Sequence, residues 1–310
     1  MYTSSTQKKS WTFCDQRELS LLRTITNKNY RDKYCRFLVS EDNEEHLLTP
    51  SEEVMLCKIF GCTGIRFGDE FLPTMWPSVQ WTALAYFKRF YLQHSVMEYS
   101  PRNVMITCYY LACKVDEFNV TIDQFVDNMR SGDRESNIKT ILSLEPVLMQ
   151  EMGYQLTVHC PFRPFEGHIL DMKTKFSLDL DLVRPYSTEF FKKALIGDIL
   201  LRYPPSQIAL AAIKYGLEQI EQTSFVFQNY LAKLLEFNTT MTHADEKLTL
   251  EKLQLRIDEI CNTVIEQAQS VDPKQTSELQ SKMQLMIVLH SKLLQRSQAL
   301  ENDDGECSNN

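Results

Sequence analysis

Residues 99–118 read YSPRNVMITCYYLACKVDEF, and the reading of this stretch decides the fold. Ser100-Pro101 has the form of a helix start, with proline at the first helical position, where its missing N–H has no partner to lose. From Val104 to Cys113 almost every residue is apolar, so the helix lacks a polar face and belongs at the centre of a bundle. It then runs straight into Lys114, Asp116 and Glu117. A core helix that has reached solvent ends this way, and so does a helix that presents charges to a partner.

The pattern returns further along the chain. YPPSQIALAA (203–212) aligns with YSPRNVMITC (99–108) at an offset of 104, matching Tyr99 to Tyr203, Pro101 to Pro205 and Val104 to Ile208. At the same offset YFKR (86–89) falls on FFKK (190–193). Earlier, PSEEVMLCK from Pro50 resembles PFEGHILDM from Pro164 at an offset of 114, a difference that fits inside a loop. These matches keep one order along the chain, so they predict two similar helical bundles with 101–113 and 205–217 as their central helices.

Composition agrees. The chain has 310 residues, enough for about two domains, with 43% apolar and 24% charged residues and only nine glycines. Thr49-Pro50-Ser51-Glu52 is a capping box, Asp272-Pro273 opens a later helix in the same style, and Thr12 is placed to cap an N-terminal helix carrying Leu19, Leu22, Tyr30 and Tyr34. Leu253, Ile257, Ile260, Val264 and Ala268 form one helical stripe, and Leu279, Met283, Met286, Leu289 and Leu293 another. No stretch alternates with period two. The expectation is an all-α protein: an extension with an amphipathic helix (1–47), a first bundle (48–160), a second (161–270), and a C-terminal helix with a short polar tail (271–310).

Several function classes are set aside. A net charge of −8 without a basic cluster argues against direct nucleic-acid binding. FKRF (87–90) reads as a core helix carrying two solvated charges. Nine cysteines with no C-x-x-C read as reduced thiols in a soluble intracellular protein, and no apolar run approaches the length of a membrane span. The six histidines lack ligand spacing, and no phosphate-binding glycine loop or catalytic signature appears, so neither a metal, a cofactor nor an enzymatic activity of its own is expected. Thr49-Pro50 and Ser100-Pro101 resemble proline-directed phosphorylation sites but serve as helix caps.

Two bundles with apolar central helices, together with LACKVDEFNV (111–120), resemble the cyclin family, whose signature ends an alanine-rich helix in Lys-x-Glu/Asp-Glu. Glu145, nine residues before Tyr154, matches a family glutamate near the start of the fifth helix. SSTQKKSWTF (4–13), YFKRFYL (86–92), SVMEY (95–99), PFRPFEG (161–167) and PSQIALAAI (205–213) are similar to strings of the H-type branch of that family. The resemblance covers residues 4–213 and fades beyond about 225.

What the resemblance implies is a fold of two tandem five-helix bundles with additional N- and C-terminal helices, the first bundle binding a kinase. It implies a regulatory subunit that activates a cyclin-dependent kinase and promotes phosphorylation of other kinases' activation loops and of the RNA polymerase II C-terminal repeats. The implied partners are the kinase catalytic subunit, a RING-containing assembly factor and the transcription factor IIH core, and the implied location is the nucleus. Carried over by motif, Lys114 and Glu145 are the kinase-binding pair, hydrogen-bonding main-chain groups beside the kinase's regulatory helix, with Glu117, Met149 and Tyr154 as secondary contacts. Lys114 maps onto Glu218 in the second repeat, as expected if one bundle alone docks the kinase. Pro146 departs from the pattern, so the helix either starts at Glu145 or is kinked there. Trp11 and Phe13 read as an anchor onto the first bundle. Two alternatives stay open: a transcriptional cyclin of the C type, and a scaffold like transcription factor IIB acting on DNA, which the acidic charge and the lack of a zinc ribbon disfavour.

Overall fold

The computed structural model describes residues 2–176, 179–221, 224–235 and 243–307. In chain order the helices are α1 Thr6–Ser10, α2 Gln16–Tyr34, α3 Pro50–Glu70, α4 Pro77–Phe90, α5 Pro101–Val115, α6 Ile122–Asp127 and α7 Arg134–Glu151. They continue as α8 Phe162–Lys175, α9 Arg184–Ile196, α10 Ile199–Arg202, α11 Pro205–Gln219, α12 Ser224–Leu235, α13 His243–Gln267 and α14 Pro273–Cys307. No strand occurs among the described residues. The last three residues of the polar tail, 308–310, lie outside them.

The chain forms two compact units: one holds Phe13–Leu156 with the described part of Ser270–Asn310, the other Thr157–Gln269 with residues 2–12. In the first, α3, α4 and α7 pack around α5, whose residues from Val104 to Cys113 are all buried. Tyr109, fully buried, donates its hydroxyl to the Gly64 carbonyl at 2.7 Å, and its ring meets Phe67 edge-on. Each such large side chain contributes about 1.5–3 kcal/mol by leaving water, which is why an apolar-all-round helix sits at the centre. Thr49 and Glu52 complete the expected capping box at the start of α3. Ser100 occupies the N-cap of α5 without a side-chain bond, so Pro101 alone marks that start.

The cap of α2 is Asp15, whose carboxylate accepts the Glu18 N–H at 2.8 Å, and not Thr12. Asp-x-x-Glu supplies a charged acceptor three residues before the N–H it satisfies, and Thr12 is drawn elsewhere, donating to the Gln7 carbonyl and pairing with the Tyr2 hydroxyl. α2 is fastened by Thr26, which donates to the Leu92 carbonyl at 2.8 Å, and by Asn27, which donates to Glu53 at 2.7 Å. Glu53 also accepts Ser95 Oγ and the Val96 N–H, so three donors hold a carboxyl whose pKa burial pushes up. α14 lies against α2 and α3: Tyr30 Oη meets His290 Nδ1 at 3.0 Å, and Lys282 meets Glu52 at 2.8 Å. The amphipathic helix α2 and the C-terminal helix α14 therefore pack together.

FKRF holds a second difference. Arg89 is not solvated but 1% exposed, donating to the Gln155 carbonyl at 3.1 Å, while the Tyr86 hydroxyl takes the neighbouring Leu156 carbonyl. Together they tie α4 to the chain leaving α7, and burial lowers the Arg89 pKa to about 10.

The other unit repeats the plan. α8, α9 and α13 surround α11, buried from Ile208 to Ile213. α5 and α11 are both 15 residues long and both carry proline at the first position. Residues 2–12 belong to this unit: Gln7 Oε1 accepts the His159 N–H at 2.6 Å, and the Tyr2 ring meets His159 edge-on. Buried Trp11 thus sits with the second bundle, correcting the expected anchor onto the first, because Gln7 and Tyr2 find their partners at residue 159.

Candidate docking site

α5 ends where the sequence turns from apolar to charged, and its last turn carries Lys114, a position where a cation suits the negative end of the helix. Lys114 Nζ lies 2.7 Å from Glu145 Oε1 and 2.8 Å from Oε2, and 4.5 Å above the centroid of Tyr110, one turn earlier. The two charges are unequally placed: the Lys114 side chain is 47% exposed and that of Glu145 only 10%. Glu145 is thus held inside, while the ammonium it fixes faces outward with donor capacity to spare.

Glu145 comes from the interior of α7, which starts at Arg134 under an Asp133 cap and runs unbroken through Pro146 to Glu151. A helix start at Glu145 is therefore excluded. Proline cannot donate to the carbonyl four residues back, on Leu142, yet Leu142 and Pro146 are both exposed, so water can take that bond.

None of the other predicted residues is fully buried, and different roles are open to them. Met149 is half-buried, one turn past Glu145 on α7. Tyr154 is 69% exposed just beyond α7, with φ +57°, its N–H bonded to the Met149 carbonyl. Glu117 is exposed with φ +56°, directed away from helical geometry. Asp116 does not orient Lys114. Its carboxylate accepts Thr82 Oγ1 at 3.4 Å, joining the end of α5 to α4, and burial raises its pKa. Sequence reading missed two exposed apolar groups of this bundle. Leu142, 48% exposed, shares a face of α7 with Glu145 and Met149; Trp76, 50% exposed, meets Phe118 edge-on at 5.5 Å. Their only sequence signal is an apolar residue at i−3 from Glu145 and a tryptophan directly before a helix-opening proline.

The same position in the other bundle differs. Glu218 pairs with Lys214 at 2.7 Å, and Lys214 reaches Asp258 on α13 at 2.9 Å. The basic residue has moved one turn back and is only 24% exposed, shared between two acids. Among the described residues no group of His, Cys, Asp and Glu could hold a metal ion, and no helix is long and apolar enough to cross a membrane.

An exposed lysine fixed by a near-buried glutamate, at the mouth of the first of two repeated helical bundles, defines a class that sequence comparison makes explicit. The family model for the cyclin N-terminal domain matches residues 74–157, that for the cyclin C-terminal domain matches residues 160–287, and the chain belongs to the cyclin family. Within it the chain is similar to cyclin-H of Xenopus laevis, 39% identical over 250 residues that cover 78% of this chain and 76% of that one. Cyclin mcs2 of Schizosaccharomyces pombe is 32% identical over 231 residues, 68% of each chain. In fold it is similar to a chain in the structure of the CAK complex from Chaetomium thermophilum bound to ATP-gamma-S, with a TM-score of 0.78 at 23% identity, over 96% of this chain and 94% of that chain. The yeast TFIIK (Kin28/Ccl1/Tfb3) complex also contains a similar chain, with a TM-score of 0.63 at 23% identity, over 85% of this chain and 100% of that chain.

Proposed function

We propose that the chain is a cyclin H-like regulatory subunit that binds a cyclin-dependent kinase and turns it into a CDK-activating kinase, one that phosphorylates the activation loops of other such kinases and the RNA polymerase II C-terminal domain. The observation that carries the docking mode is Lys114, fixed by Glu145 and open to a partner. A kinase loop offers carbonyls to the ammonium, and its N–H groups can approach the carboxylate oxygens. Leu142 and Met149 share the face of α7 that carries Glu145 and supply apolar surface next to it, and exposed Glu117, Tyr154 and Trp76 serve as secondary contacts.

Activation on this reading is a population shift. The subunit binds the active arrangement of the kinase's regulatory helix more tightly than the inactive one, and only that difference in affinity drives the switch. The chain contributes surface and leaves the phosphoryl-transfer chemistry to the kinase. A RING-containing assembly factor and the transcription factor IIH core complete the partners, and the work is done in the nucleus.

The test is reconstitution of purified wild-type chain and its Lys114→Ala variant with the catalytic subunit. The expected result is stimulated phosphorylation of a C-terminal-domain peptide by wild type and a large loss with the variant. Equal co-purification and equal stimulation overturn the docking mode.

A further inference from the structure

Lys114 is held from two directions, and the docking mode described above draws on only one of them. On an α-helix a long side chain leans back over the turn before it, so Lys114 reaches over Tyr110, four residues earlier. Its Nζ stands 4.5 Å from the centre of the Tyr110 ring and 2.7 Å from Glu145 Oε1. The ring is itself fixed. Tyr110 is 7% exposed and meets Phe125 of α6 edge-on at 5.4 Å, and Phe125 is wholly buried with Phe67 and Phe71 around it. Two neighbouring helices therefore converge on one ammonium, α6 through the ring and α7 through the carboxylate.

The two contacts act on the lysine differently. A carboxylate takes N–H donors and offsets the charge, whereas a ring face attracts the cation through its quadrupole and carries no charge to offset it. The second bundle has the opposite arrangement. At the repeat offset of 104, Tyr110 falls on Lys214 and Lys114 on Glu218. There the lysine lies between two acids, 2.7 Å from Glu218 and 2.9 Å from Asp258, and is 24% exposed against 47% for Lys114. A lysine between two carboxylates is spent. One between a carboxylate and a ring is held in place and still has charge and an N–H to give.

We propose that Tyr110 is a positioning residue for the kinase contact, its ring holding the Lys114 ammonium in the place from which it donates to the partner. The proposal rests on the kinase-docking reading of Lys114. A lysine side chain has four rotatable bonds, and ordering it during association weakens binding. Glu145 anchors the ammonium from α7, and Tyr110 anchors the same ammonium from the turn below, so the ordering is done before the kinase arrives. The ring face makes this contact and the hydroxyl does not, so phenylalanine should serve as well as tyrosine and an aliphatic residue should not.

Two measurements on the full chain test it. In protein labelled with 13C-lysine, the Lys114 ε-methylene protons, assigned by their loss in Lys114→Ala, should lie upfield of their position in the urea-unfolded chain, shifted by the ring current of Tyr110. They should stay there in Tyr110→Phe and move back in Tyr110→Leu. In calorimetric titrations against the kinase catalytic subunit, Tyr110→Phe should bind as wild type does, and Tyr110→Leu at least about threefold more weakly. Thermal melts check that the variants are folded; if Tyr110→Leu is not, Tyr110→Met, whose unbranched side chain adapts to the space, takes its place. No upfield shift in the wild-type chain, or a shift that survives the loss of the ring, would overturn the seat whatever the kinase does. Wild-type affinity in Tyr110→Leu while Lys114→Ala binds weakly, or equal losses in Tyr110→Phe and Tyr110→Leu, would overturn the positioning role. Wild-type affinity in Lys114→Ala would instead remove the docking reading beneath it.

Discussion

The ends of the two central helices are the most instructive comparison in this molecule. α5 and α11 share length, starting proline and burial, yet α5 ends in an exposed lysine supported by a near-buried glutamate, whereas α11 ends in Glu218, with Lys214 shared between two acids. Duplicated architecture keeps what packing demands, the apolar central helix, and lets the charged end drift. On the proposed docking mode the bundle whose lysine stays outward-facing is the one that grips a partner; the other closes its charges on itself.

If both bundles depend on their central helix, Leu111→Ala in α5 and Ile213→Ala in α11 should each destabilise their unit by about 2–5 kcal/mol in denaturant melts, since both side chains are almost wholly buried. A bundle that tolerates the change breaks the equivalence. If only the first end docks the kinase, Lys114→Ala should weaken kinase binding by about 2–5 kcal/mol, roughly 30-fold or more in a calorimetric titration, mostly by leaving Glu145 buried and unpaired. Glu218→Ala should leave that affinity unchanged. Thr49→Ala, which removes one half of the capping box of α3, should cost about 1 kcal/mol of unfolding stability and nothing in kinase binding.

The smallest effect concerns pH and the contact of α2 with α14. Burial holds the His290 imidazole below its ordinary range, with Glu98 opposing and Lys33 adding to the shift, and Tyr30 Oη pairs with Nδ1. A depressed folded value means the contribution is fully present above the ordinary imidazole value of 6.5 and is lost as pH falls through the lower folded value. Melting curves across that window should show a slope that His290→Gln flattens.

Much of this was legible in the chain. The central helices, the capping box at Thr49 and the stripe Ile257, Ile260, Val264 follow from local pattern, because burial imposes helical periodicity on the sequence. Lys114 and Glu145 stand out by motif, and the structure brings these residues, 31 apart in sequence, into one ion pair, to which we assign the kinase-docking role. What was hidden depends on distant partners. Arg89 is buried because Gln155 offers a carbonyl 66 residues away, and residues 2–12 join the second bundle because Gln7 meets His159, 152 residues on. No local pattern encodes such pairings. Leu142 was hidden for the opposite reason: an apolar residue on a helix is read as core, and only the fold leaves it outside.

The account rests on Lys114 and Glu145 facing a partner and not merely stapling α5 to α7, and a charge-swapped pair separates the two. Lys114→Glu combined with Glu145→Lys keeps an ion pair inside the chain while inverting the charges offered outward. Titrated against the kinase catalytic subunit, the swapped chain should melt as wild type does yet bind at least about 30-fold more weakly. Wild-type affinity and wild-type kinase stimulation from the swapped chain would contradict the account.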